Sequence, residues 1–374
     1  MPLQAYRCAV SNLGVVRHRQ VALLMERCYV GLDAAALRVE VLHRLRSVMS
    51  IDAAFFASID PVTLLFTTAV SEEPLRGAAA RFLDNEFGAP DVNRFVDLSL
   101  RPDPIGSLDA ATQGDRTASV RYTDIMAPLG LGDELRVVLR SRSHSWGVMC
   151  LHRSNADAGF SEPEIAVLRR IAPHVAEGLR RAQVLDQLSR SSMMMDVGIV
   201  LLDDELHLAS MNAVAEQWLA EMTEEDWPSP FELPVPIYTV AARLLADEVA
   251  DTRGEPRPTQ GRLEVRVRTA AGTWASVRAS RIDGPSGRQI AVVIESASAQ
   301  RLVSVLLAAR GLTPAQERVA ALVLRGLTTR QIAAQAHISA NTVQEHLTAI
   351  FEKFGVHSRR ALVTAVGTAP GTPT

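Results

Sequence analysis

The chain has 374 residues, 47% of them hydrophobic, and sets 39 Lys+Arg against 42 Asp+Glu. That length accommodates two or three compact domains, and a net charge of −3 belongs to an ordinary folded protein, not to a disordered or uniformly basic one. The 39 basic residues are one lysine, Lys353, and 38 arginines. A Walker A phosphate loop, a protein kinase and a pyridoxal-phosphate enzyme each need a lysine in a context that position 353 does not offer.

Cys8, Cys28 and Cys150 lie far apart and form no C-x-x-C pair. A disulfide framework and a cysteine-rich zinc site are therefore not expected, and a reducing cytoplasm fits. No stretch approaches the roughly 18 apolar residues of a membrane span, and the first residues lack a signal-peptide pattern. The expected location is cytoplasmic, with no membrane partner.

Apolar residues recur at helical spacing from 21 to 49, and Asp33 ahead of Ala-Ala-Ala-Leu reads as the cap of a second helix after Gly31. The period then changes. Runs at 53–59 and 63–70, joined by Asp60-Pro61, read as a hairpin, and a helical stretch follows at 73–86. The Asp-, Pro-, Gly- and Ser-rich segment 90–121 predicts loops and short helices. Strands follow at 134–140 and 145–152, with Trp146, Val148, Cys150 and His152 expected to alternate on one face. Ser161 caps a helix that should run to about 192, long enough to link two domains and to offer a two-chain seam.

A second unit begins near Met195 in the order strand, turn, strand, helix: 197–202, the turn Asp203-Asp204-Glu205, 206–210 and 212–222. A Pro-rich loop (227–236), a helix (238–249) and strands at 262–268, 273–282 and 289–295 complete it. No internal repeat is visible. The predicted fold is multidomain α+β, with two helix-flanked antiparallel sheets followed by an all-α four-helix domain. The expected units are 20–190, 195–296 and 308–368.

The last segment changes character, because nothing from Leu312 to Val366 reads as a strand. Thr313-Pro314 caps a helix to Leu324, helices at 329–336, 340–354 and 359–366 follow, and the tight turn His337-Ile338-Ser339 makes the second and third a helix-turn-helix. On the third helix Val343, Leu347, Ile350, Phe351 and Phe354 share one side, while Asn341, Gln344, Glu345, Thr348 and Glu352 share the other. Gln and Asn pair with the adenine edge, Glu accepts from cytosine and Thr meets the thymine methyl. Between Gly311 and Val366 six Lys+Arg oppose three Asp+Glu, a net of +3 that leaves −6 for the rest of a chain at −3. A basic module on an acidic chain is an electrostatic footprint of DNA binding.

Leu312-Thr313-Pro314 with Glu317, the run from Gly326 to Ala333, Ile338-Ser339, Thr342-Val343 with His346, Lys353, and Gly355-Val356-His357-Ser358-Arg359 together resemble the DNA-binding domain of LuxR-type transcription regulators. The resemblance covers about 55 residues. It implies a four-helix domain whose third helix enters the major groove and whose fourth can dimerise. It also implies double-stranded DNA as partner, a homodimer, and RNA polymerase as a further partner. Many members carry lysine after Thr-Val, whereas Gln344-Glu345 stands here, so base preference does not carry over.

Upstream, Tyr122-Thr123-Asp124, the run from Ala127 to Leu135, the run from Trp146 to Arg153, and Ala172-Pro173-His174 resemble GAF-type sensor domains attached to LuxR-type regulators of actinobacterial type. The run from Gly198 to Asp204, with Asn212 to Glu216, resembles the start of a PAS-type domain.

Base reading is expected of Asn341, Gln344, Glu345 and Thr348, against the alternative of a merely solvated helix face. Phosphate contact is expected of Thr329, Arg330, Ser339, Thr342 and Lys353 as a group, though each alone suits a cap or an exposed polar position. His346 reads as a packed structural histidine. Tyr122 and Trp146 are the candidate lining of a small-molecule effector pocket, with core packing the competing reading. His144, Cys150 and His152 are suitable metal ligands by type, but the strand pattern explains them, so no metal and no cofactor is expected.

No catalytic residue is assigned, since H-E-x-x-H, G-x-S-x-G and G-x-G-x-x-G are all absent. A receiver domain lacks its lysine, and an acyl-homoserine-lactone pocket lacks its W-x-x-Y. The sequence therefore predicts a non-enzymatic, signal-controlled DNA-binding regulator. The alternative is a sensor or scaffold working through protein contacts.

Overall fold

A computed structural model describes residues 18–88, 90–185, 196–222, 233–254, 263–284 and 287–367. Cys8, the predicted helix end at 186–192, and residues 227–232 of the predicted Pro-rich loop lie outside the described residues.

The first unit opens with helices α1 (18–27) and α2 (Ala34–Arg46), the second started by Asp33, whose carboxylate accepts from the Ala36 backbone N–H at 2.7 Å. Strands β1 (Ala53–Ile59) and β2 (Phe66–Ser71) pair antiparallel, as the hairpin pattern predicts. Then come α3 (Ala79–Gly88), α4 (Phe95–Leu100), β3 (Ile105–Ser107), α5 (Leu108–Ala111), β4 (Leu131–Ser141), β5 (His144–Ser154) and α6 (Glu162–Leu185). The first sheet has the order β2-β1-β5-β4-β3. Edge strand β3 falls in the segment read as loops and short helices, because three residues are too few to show a period of two.

The second unit contains β6 (Gly198–Leu202), β7 (Leu208–Met211), α7 (Ala213–Met222), α8 (Val235–Arg253), β8 (Glu264–Arg268), β9 (Trp274–Gly284) and β10 (Gly287–Ser296), with sheet order β7-β6-β10-β9-β8. Counting strands within each unit, both sheets follow 2-1-5-4-3. The two units thus share a topology with no repeat in the sequence. Helices α9 (Ala299–Ala309), α10 (Pro314–Leu324), α11 (Thr329–Ala336), α12 (Ala340–Phe354) and α13 (Arg359–Gly367) complete the chain.

One face of the first sheet packs against α1, α2 and α6 through Leu24, Val41, Leu45, Leu168, Ile171 and Val175, all buried. Its other face does not close on its own unit. Ala57, Phe66, Val148 and Cys150 form one continuous core with Ile237, Tyr238 and Val240 of α8 and with Val265, Val292 and Ile294 of the second sheet. Burying each such aliphatic side chain contributes about 1.5–3 kcal/mol, so apolar packing is the main term joining the two units.

Polar contacts fix how they meet. The Arg266 Nε and Nη2 atoms lie 2.8 and 3.0 Å from the two Asp60 carboxylate oxygens, and the Arg266 backbone N–H donates to Asp60 at 3.0 Å. Both side chains are buried. Arg266 Nη1 continues to the Arg301 carbonyl and to Ser304 on α9. Asp60 thus serves as more than a turn former.

The expected single face of β5 is corrected by a bulge. Leu139 pairs with Gly147 and Arg140 with Ser145, so Trp146 is the extra residue between them. It turns to the α6 side with Met149 and Leu151, away from Val148 and Cys150.

Candidate nucleic-acid interface

Each helix of the C-terminal module begins at a side chain suited to the task. Thr313 Oγ1 accepts from the Gln316 N–H at 3.3 Å while Gln316 Oε1 accepts from the Thr313 N–H at 3.1 Å. Thr328 and Gln331 repeat this reciprocal pair at 3.4 and 2.8 Å. Ser339 Oγ accepts from the Thr342 N–H at 3.0 Å, and Ser358 Oγ from that of Ala361 at 3.0 Å. Such caps satisfy N–H groups that a helix start leaves open. The turn between α11 and α12 is tight because His337 adopts a left-handed conformation, φ 55° and ψ 44°.

Buried Val319, Val323, Ile332, Val343, Leu347 and Leu362 hold α10 to α13 together, and Leu302, Val305 and Leu306 bring α9 into the same core. Packing Val343, Leu347 and Ile350 inward leaves Asn341, Gln344, Glu345, Thr348 and Glu352 exposed along the opposite side of α12. Asn341 donates to Glu345 at 3.0 Å, Gln344 donates to Thr329 at 3.4 Å, and Thr348 donates to the Gln344 carbonyl at 3.1 Å. These exposed bonds exchange readily for partners of equal strength. His346 is half-buried on the flank of α12.

The candidate phosphate ligands divide. Arg330 and Ser339 are exposed, and Thr342 shares its hydroxyl with Ser339 at 2.9 Å. Thr329 is held by Arg359, which donates to its hydroxyl at 2.8 Å and to the Leu327 carbonyl at 2.7 Å. Lys353 is turned inward. Its amine donates to the Gly311 carbonyl at 2.9 Å and to Gln316 Oε1 at 2.7 Å, and burial together with nearby Arg142 lowers its pKa. Arg359 as a clamp between α11 and α13 was missed in the sequence. Its place just after the Ser358 cap, at the start of α13, is the signal the sequence offers.

The module is joined to the first unit around Gly311. Arg142 from the β4–β5 turn donates to the Gly311 carbonyl at 2.9 Å, Arg180 on α6 donates to the Ala309 carbonyl, and His144 lies 3.3 Å from Glu317. Gly311 has φ 68°, a left-handed conformation that favours glycine, and a Cβ there would also displace the Arg142 guanidinium, whose Nη1 would lie 2.6 Å away.

Tyr122 and Trp146, the expected effector-pocket pair, do not come together. Tyr122 donates to Asn155 at the surface at 3.1 Å, and Trp146 is fully buried on the α6 side. Of His144, Cys150 and His152, the structure gathers the last two with Glu134, while His144 faces Glu317.

Residues 310–366 match the family described as bacterial regulatory proteins, luxR family. No curated protein matches the chain. Among solved structures it is similar to a Vibrio cholerae VqmA dimer without target DNA, described as a LuxR-type receptor, at 18% identity over 46% of this chain and 81% of that one, TM-score 0.20. A phage VqmA–DPO complex (19% identity, 46% and 83% covered, TM-score 0.24) and an E. coli DhaR(N)–DhaL complex (11%, 76% and 90%, 0.25) are also similar. These likenesses are remote in sequence and in superposed shape. Among the described residues no helix is long and apolar enough to cross a membrane.

Proposed function

We propose that this chain is a transcription regulator that binds double-stranded DNA by laying α12 in the major groove. The observation carrying this reading is the exposed row Asn341, Gln344, Glu345 and Thr348 on the helix following the tight turn of a capped four-helix module, within the segment that matches the luxR family. Arg330, Ser339 and Thr342 lie at the ends of α11 and α12, where backbone N–H groups and a positive charge suit phosphate. Lys353, tied between helices, is reassigned to holding the module together.

In the same reading the two sheet units sense a signal, GAF-like and PAS-like respectively, and their shared strand order supports treating them as a related pair. The protein works in the cytoplasm, without an enzymatic step, as a homodimer that presents two copies of α12 to neighbouring half-sites and contacts RNA polymerase. Because α9 packs against both sheet units and the module, a shift in either unit changes where α12 points.

Footprinting of the full chain on genomic fragments tests the assignment. Gln344→Ala with Glu345→Ala should remove sequence preference, at about 1–3 kcal/mol per lost base contact, while leaving salt-sensitive nonspecific binding. Unchanged footprints would remove these residues from base reading. Absence of any DNA retention would favour a scaffold acting through protein contacts.

A further inference from the structure

A cavity opens between the first sheet and α8, and its walls are apolar: Phe55 and Phe66 from β1 and β2, Phe82 and Leu83 from α3, Phe95 from α4, and Tyr238 from the second unit. It is partly continuous with solvent, and the centre of a water-sized sphere can move through about 40 Å³ of it. Its floor differs from its walls. His152, Arg136 and Cys150 line it, and beneath them lie Glu134 and Arg121, all buried. The register makes this floor a block, with Glu134 opposite His152 and Arg136 opposite Cys150 on adjacent strands.

The block is incompletely satisfied. Arg121 Nε and Nη2 approach Glu134 Oε2 at 2.9 and 2.7 Å, and Arg136 Nη2 donates to Glu86 at 2.6 Å. Among the described residues, both His152 ring nitrogens, Arg136 Nε and Nη1, and Glu134 Oε1 have no hydrogen-bond partner. Leaving a buried donor or acceptor unmade costs about 1–3 kcal/mol, so several at one cavity floor mark it as a place where water or a ligand atom supplies partners.

We propose that this cavity binds a small, uncharged molecule, mostly hydrocarbon, whose single carbonyl- or hydroxyl-type edge meets His152 and Arg136. The charge balance argues for an uncharged ligand. The two guanidiniums already face Glu86 and Glu134, and Asp91 lies 3.8 Å from Arg121, so an anion would enter with no cation left to match it. A cation would sit against the unpartnered N–H groups of Arg136, which itself stacks 3.9 Å over Phe95. The same two guanidiniums oppose a metal ion at Glu134, Cys150 and His152, although those three ligand atoms lie within 4.8 Å of one another. Val235 and Tyr238 place the second unit on the cavity rim, so the ligand touches both sheet units at once.

This deepens the sensing part of the proposed function and rests on it only for an effect on DNA. Binding is measured without DNA, so failure of one reading is distinguishable from failure of the other. The full chain is titrated with acetophenone, benzoate and benzylammonium, matched in size and differing in charge, following saturation-transfer NMR and the melting temperature. Acetophenone should give transfer and raise the melting temperature, with the two ions giving neither. Ala79 on α3 also lines the cavity, and filling it with Ala79→Leu should weaken acetophenone binding by about 10–200-fold, the range for added methylenes in a pocket. Leu83→Phe is a second filler should the first not retain the native melting transition.

Equal or stronger binding of either ion, binding undiminished in a folded filler variant, or no binding by any probe would overturn the proposal. A parallel titration with Co²⁺ closes the metal route: thiolate-to-cobalt absorption lost in Cys150→Ser would replace the ligand site with a metal site.

Discussion

The two sheets share one strand order and part company in what they bury. In the first, the central pair β4 and β5 brings Glu134, Arg136, Cys150 and His152 together. In the second, the corresponding pair β9 and β10 sets Val277 opposite Ile294 and Ala279 opposite Val292. A charged interior is no help to stability when hydrophobic residues of similar volume would fill the space. The β9–β10 pair shows the apolar solution at that position of the same frame, while the second sheet keeps its buried charge on β8, where Arg266 meets Asp60 of the first unit.

That contrast is broken most strongly at the charged block. Glu134→Ala leaves Arg121 buried without its main partner and should cost about 3–5 kcal/mol in urea denaturation. A loss under about 1 kcal/mol, the scale of an exposed pair, would mean that water reaches the block.

Acid is the next lever. Burial would raise the Glu134 carboxyl, but Arg121, Arg136 and His152 hold it down to about 2, and burial drives the His152 imidazole down to about 4 against the pull of Glu134. Both groups take up protons more readily when unfolded, so each contributes stability that is present at high pH and lost on acidification. The His152 part fades from about 6.5 to about 4, and the Glu134 part from about 4.5 to about 2. His152→Gln should flatten the upper limb of the stability profile and narrow the lower one only in part, since Arg121 and Arg136 still hold the Glu134 carboxyl down. Two unchanged limbs would show that His152 does not titrate differently on folding.

In the second sheet, Ile294→Val should cost only about 0.5–1.5 kcal/mol with no change in pH dependence. Smallest of all, Arg288→Ala at the exposed Asp283 contact should change stability by less than about 0.5 kcal/mol. A larger effect there would mean that the β9–β10 end is covered in solution.

How far this was legible in the sequence differs by region for physical reasons. The bounds of α10 to α13 stand within a residue of the reading because Thr313, Thr328, Ser339 and Ser358 cap each start, and caps are local chemistry. The charged block was not legible. Arg121, Glu134 and Arg136 look like surface charges, and only the pairing of β4 with β5 and the return of α3 and α4 over that face bury them. Trp146 was assigned to the wrong face because a bulge is set by the partner strand's register. Asp60 disclosed its turn, but its pairing with Arg266 spans 206 positions and has no local trace.

Gly311 offers its carbonyl to Arg142 from the first unit and to Lys353 from α12, and Lys353 is the one lysine of the chain. An acylating reagent therefore finds a single side-chain amine, and it sits at the joint between the first sheet unit and the helical module. Its lowered pKa depends in part on Arg142 staying close. The acylation rate of this amine is thus a built-in one-site gauge of the joint, readable by mass spectrometry with and without DNA and needing no engineered label.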